Sequence, residues 1–150
     1  MAAPLLRSMK PTLKLGLVAA LVCLILPLLS RLPRGMDWVA QYYPDKGYVL
    51  IGILFFGGCA LVPALVVLVA FLFSRGPCYW PGLFATVAAW GLLIYFHHDN
   101  DLAADAQSAL TLIFIPLYAA AIAAVAALLG WIAQWLAGKN RPSSSPDTEA

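Results

Sequence analysis

The charges of this chain are distributed so that four stretches, Leu15–Ser30, Gly47–Phe73, Gly76–Phe96 and Ala106–Gly138, contain no Asp, Glu, Lys or Arg. A helix that crosses a bilayer needs about 20 apolar residues, because it rises about 1.5 Å per residue through roughly 30 Å of hydrocarbon. The second and third stretches meet that length directly. The first meets it when extended to Thr12, with Lys14 reaching back to the interface along its methylene stem. The fourth is long enough to cross once with tilt, and too short to cross twice with a turn. Across the 150 residues, 63% are apolar and 11% charged. Soluble domains carry about 25% charged residues, so this chain lacks the polar surface that water would demand. The expected fold is all-α: an integral membrane four-helix bundle with helices over about 12–31, 47–73, 78–97 and 102–137. The tail 139–150 should be disordered, since Ser143, Ser144, Ser145 and Pro146 bring almost nothing apolar to offset chain entropy.

The first stretch also has the form of a secretory signal, with Arg7, Lys10 and Lys14 ahead of a short apolar run. No A-x-A pattern follows it, however, and Pro33 and Arg34 flank any cleavage point, so the expectation is a retained helix. Lys and Arg in the short flanks set orientation. With the N-terminus inside, Arg7, Lys10, Lys14, Arg75, Lys139 and Arg141 face the cytoplasm and Arg31, Arg34 and Lys46 lie outside, six against three. Both termini are therefore expected in the cytoplasm and the protein in the bacterial inner membrane. Aromatic residues fall where headgroup depth would place them: Trp38, Tyr42, Tyr43, Tyr48 and Tyr95 outside, Tyr79, Trp80, Trp131 and Trp135 inside.

Several function classes are disfavoured by inventory. The net charge of +2 is small and no basic stripe with interleaved aromatics exists, which argues against nucleic acid as a partner. The three cysteines, Cys23, Cys59 and Cys78, form no C-x-x-C pair and sit in or beside apolar runs, as small core residues do. No ionisable Asp, Glu, Lys or Arg occupies the interior of a span, where ion-coupled carriers place one. Haem ligation between helices lacks suitably placed His or Met. No cofactor and no enzymatic activity is expected.

The most polar segment is His97-His98-Asp99-Asn100-Asp101-Leu102-Ala103-Ala104-Asp105. Imidazole and carboxylate are metal ligands, but adjacent histidines point their rings apart. The stronger reading has Asn100 or Asp101 capping the fourth helix and the carboxylates in its first turns, each stabilising the dipole by about 0.3–1 kcal/mol. Asp101, Asp105 and Ser108 would then form a polar stripe descending from the outer mouth, bonded within the chain or to a partner. Pro27, Pro63 and Pro116 interrupt three helices, a common feature of membrane spans. On the fourth helix Ala119, Ala123 and Ala127 recur every four residues and permit close approach of another helix.

The segment Asp105-Ala106-Gln107-Ser108-Ala109-Leu110, followed by Phe114-Ile115-Pro116-Leu117-Tyr118, resembles a signature of small uncharacterised proteobacterial inner-membrane proteins. The overall layout resembles the polytopic immunity proteins that protect bacteria from pore-forming toxins; this likeness implies no residue-level correspondence. The expectation is a non-enzymatic protein that acts by association in the lipid bilayer. Asp99, Asp101 and Asp105 would serve loop recognition, and Ala119, Ala123 and Ala127 helix contact. Its most concrete form is an immunity protein that covers the assembly surface of a membrane-acting toxin. The alternative is a small channel, holin-like or transporter component, compatible with a homo-oligomer.

Overall fold

In a bilayer core every backbone N–H and C=O must be satisfied within its own segment or a closed barrel, so long apolar runs become helices. The computed structural model describes residues 10–42, 49–74, 79–102, 104 and 106–139, and the side chains of all these except 49–57 and 106–109. Among the described residues every regular element is helical: α1 (Pro11–Leu29), a 3₁₀ turn (Leu32–Arg34), α2 (Met36–Ala40), α3 (Val49–Leu72), α4 (Trp80–Asp99) and α5 (Ala106–Lys139). Among the described residues three spans are long and apolar enough to cross a membrane, Pro11–Arg34, Trp80–Asp99 and Leu110–Lys139. The share of each span's most apolar window that is buried within the protein is 28%, 39% and 33% respectively. Much of the remaining apolar surface, including Leu21, Val87 and Leu128, is exposed to the surroundings, as expected where the solvent is lipid.

Successive long helices run in opposite directions. Gly16, early in α1, lies against Phe71, late in α3, and Phe71 in turn lies against Gly82, early in α4. Gly130, late in α5, meets the backbone of Trp80 and Pro81 at the start of α4. The contact of α4 with α5 is the most extensive, followed by that of α1 with α3. Helices α3 and α4 lie between α1 and α5 and touch both.

The core is made of small side chains at helical spacing. Ala19, Cys23 and Leu26 come from α1, Ala64, Val67 and Phe71 from α3, Ala85, Ala89 and Leu93 from α4, and Ile115, Ala119 and Ala123 from α5. Without a hydrophobic force between helices in lipid, such packing depends on close approach and dispersion contacts. A Cβ added to Gly130 would lie 2.6 Å from the Trp80 carbonyl oxygen, so only glycine admits that crossing. The Trp90 indole adds an interhelical bond, donating to the Ala19 carbonyl at 3.2 Å.

Local chemistry sets the helix ends. Pro11 opens α1 where a missing N–H costs nothing. At its other end the Ser30 hydroxyl donates to the Pro27 carbonyl at 3.1 Å, and Gly35, at φ +101°, turns the chain into α2. At the far side of the molecule Ser74 donates to the Ala70 carbonyl at 2.9 Å and accepts from the Gly82 N–H at 3.1 Å, joining the end of α3 to the start of α4. Helix α5 starts at Ala106 and not near residue 102. The Leu102 N–H is taken by the Gln41 side chain at 3.2 Å, and Asn100, at ψ 107°, is already extended. Asn100 and Asp101 therefore do not cap α5. Instead Asn100 caps the C-terminus of α4, its N–H donating to the Phe96 carbonyl at 3.1 Å.

Candidate functional site

The polar groups gather at the end where α1 and α4 finish and α5 begins. Their centre is Arg31, which has no exposed surface. The last carbonyls of a helix have no intrahelical partner and carry partial negative charge. Arg31 stands where two helices end and answers both. Its Nε donates to the His97 carbonyl at 3.2 Å, and its Nη2 donates to the Asn100 carbonyl at the C-terminus of α4. Its Nη1 donates to the Trp38 carbonyl of α2 at 2.7 Å and to the Gln41 Oε1 at 3.1 Å. The guanidinium also lies 4.2 Å from the centroid of the Tyr42 ring, within cation–π range.

Among the described residues no carboxylate touches the buried Arg31 guanidinium. The fork of five donors meets fixed dipoles, and charge balance arrives one residue further out. Gln41 accepts from Arg31 and from Leu102, and its Nε2 donates to the Asp101 carboxylate at 2.9 Å. Asp101 thus belongs to a relay, Arg31 to Gln41 to Asp101, that ties the first loop to the third. The Tyr42 hydroxyl bonds the Nδ1 of His97, whose side chain is 1% exposed. Its Nε2 and the Trp38 Nε1 are buried with no hydrogen-bond partner among the described residues. Tyr42 is therefore an interior residue of the cap.

A second, more exposed layer lies outside this node. His98 turns away from His97, and its Nδ1 lies 2.9 Å from the Ser30 carbonyl. A carbonyl only accepts, so Nδ1 carries the proton and Nε2 is free to accept from Arg34 at 3.4 Å. Arg34 also pairs with Asp99 at 2.5 Å, both side chains remaining about half exposed. The Arg34 guanidinium thus lies between His98 and Asp99. Among the described residues no group of three or more His, Cys, Asp or Glu side chains converges on one point.

Of the residues singled out from the sequence, Asp99 and Asp101 come together in this cap, both bonded within the chain. Asp105 lies outside the described residues, as do Tyr43, Tyr48, Cys78 and the tail 140–150. Ala119 and Ala123 have no exposed surface and belong to the core, and Ala127 is half-buried against it. Ala119 and Ala123 are enclosed by this chain's own core and offer no surface to a partner helix, whereas Ala127 lines a cleft beside α3. Arg31, Gln41 and Tyr42 were missed as a unit. The only sequence signal was an arginine flush with the end of an apolar run, and such residues usually mark orientation.

Among the described residues, clefts open on the surface near both ends of the bundle. One of about 360 Å³ adjoins the polar cap between α4 and α5. The other, of about 660 Å³, lies between α3 and α5 toward the opposite end and is lined by apolar residues such as Leu65, Phe73, Leu128 and Trp131. No protein-family model matches the chain, and neither a curated protein nor a solved structure shows significant similarity to it.

Proposed function

We propose that this is a four-helix, multi-pass protein of the bacterial inner membrane, with both termini in the cytoplasm, that acts by associating with another membrane protein. The carrying observation is the separation of polar from apolar groups. Among the described residues the interhelical core from Ala19 to Ala123 is apolar except for Thr86, whose hydroxyl donates to the Gly82 carbonyl of its own helix, while Arg31, Gln41, Tyr42, His97 and Asp101 are joined into one cap at one end. Such a body presents shaped surfaces and a rigid polar face, which favours recognition over solute passage. The 24 residues of α3 span about 36 Å, enough to cross the bilayer beside the other three long helices. The excess of Lys and Arg on the α1 N-terminal and α5 C-terminal side supports the orientation.

In its most concrete form the protein is an immunity factor whose cap, with Arg34 and Asp99 half exposed, covers the assembly surface of a membrane-acting toxin. Co-expression with the toxin candidates encoded beside its gene, scored by membrane potential, tests this reading. Retained potential in the presence of one toxin supports it, and collapse with every candidate removes the immunity form. Conductance by the purified protein in planar bilayers would overturn association as the primary activity.

A further inference from the structure

We infer that the cleft beside the polar cap binds the ammonium headgroup of a phospholipid, whose glycerol and first acyl carbons lie along α5. The cleft has two zones. Asp99 and Asn100, at the end of α4, and Thr111, early in α5, form its polar margin. Below them the lining is Tyr95, Phe96, Phe114 and Tyr118, with Ile115 between. Thr111 and Tyr118 are seven residues apart, about 10 Å along the helix axis, so the cleft descends from the cap into the apolar zone.

Each zone selects a different part of the ligand. Aromatic faces carry negative quadrupole charge and attract ammonium groups. Here the rings of Tyr95 and Phe96 meet edge to face at 5.2 Å, and those of Phe114 and Tyr118 lie 6.4 Å apart. Asp99 adds a carboxylate at the margin, and Arg34, 2.5 Å from it, places a guanidinium alongside. A negative and a positive group side by side complement a zwitterion, with its ammonium toward Asp99 and the rings and its phosphate toward Arg34. The zone order points to a lipid and not a free amine. The lower part of the cleft is apolar, and Leu110, Leu117 and Tyr118, neighbours on this stretch of α5, are all exposed where bilayer would surround them. Among the described residues the lining of the larger cleft carries no charged side chain.

The inference is independent of the association reading and has its own test. The full-length chain, purified in detergent, is offered equal amounts of phosphatidylethanolamine and phosphatidylglycerol, and retained lipid is counted by native mass spectrometry. One phosphatidylethanolamine should be held with about tenfold preference, the gain available from an ammonium on aromatic faces with a carboxylate beside it. Both Asp99→Asn and Tyr118→Leu should reduce that preference to about twofold or less, while Leu128→Ala, in the other cleft, should leave it unchanged. Tyr118 is exposed and outside the Arg34–Asp99 pair, so its variant reports binding even if Asp99→Asn perturbs the cap. Equal retention of the two lipids by the unmodified chain overturns the inference, as does a preference that survives both cleft substitutions. Displacement by water-soluble phosphoethanolamine as effectively as by the lipid overturns the assignment to a lipid.

Discussion

Replacing Arg31 with Met removes the donor fork while keeping an unbranched side chain of similar reach. Three backbone carbonyls, those of Trp38, His97 and Asn100, then lose a donor, together with the Gln41 side chain. At roughly 1 kcal/mol net per carbonyl bond, the loss is about 3 kcal/mol. The cation–π contact with Tyr42 adds about 1 kcal/mol. Relief from burying a cation offsets part of this, leaving a destabilisation of about 2–4 kcal/mol, or some 30- to 1,000-fold in the folding equilibrium. The assay is reversible unfolding in mixed micelles of mild detergent and dodecyl sulfate, followed by far-UV circular dichroism. Arg31→Lys should fall between the two, because an ammonium supplies a point charge and cannot reach four acceptors spread around a planar fork. If Arg31→Met unfolds within about 0.5 kcal/mol of the unmodified protein, the node does not hold the loops and the account of the cap is wrong.

Other expectations can be measured with the same unfolding assay. Tyr42→Phe removes the partner of His97 Nδ1, leaving both nitrogens of a buried ring unsatisfied, and should cost about 1–3 kcal/mol; a neutral result would mean that the hydroxyl is dispensable. Gly130→Ala drives a methyl group against the Trp80 carbonyl and Pro81 backbone and should destabilise by about 1–3 kcal/mol. Gly91→Ala meets open space and should shift stability by no more than about 1 kcal/mol; the reverse ranking would contradict the α4–α5 crossing. Asp99→Asn breaks an exposed pair and should change stability by less than about 1 kcal/mol, an effect that fades as salt is raised. A loss that is large and indifferent to salt would show that the pair is not screened by solvent.

The positions of the long helices were legible because lipid makes the decision locally. Each apolar run must satisfy its own backbone whatever its neighbours do, so run length alone gave Pro11–Leu29, Val49–Leu72 and Trp80–Asp99 to within a few residues. The start of α5 was less legible, since it depends on Gln41 capturing the Leu102 N–H from a residue 61 positions away. Composition likewise identified small-residue spacing as a contact surface without saying against what.

Which face of each helix turns inward was decided only by the tertiary structure. These helices are apolar on every side, so the periodic contrast that would mark an inner face in water is absent. Ala119 and Ala123 could have met another protein, and the assembled fold instead places them against this chain's own core. Arg31 shows the same limit more sharply. Its burial becomes tolerable once the carbonyl ends of α2 and α4 are brought to it across 7 to 69 residues of chain, and no local pattern encodes that meeting. Membrane residence and helix positions follow from what each segment must do alone, whereas the polar cap exists only because distant segments satisfy one another.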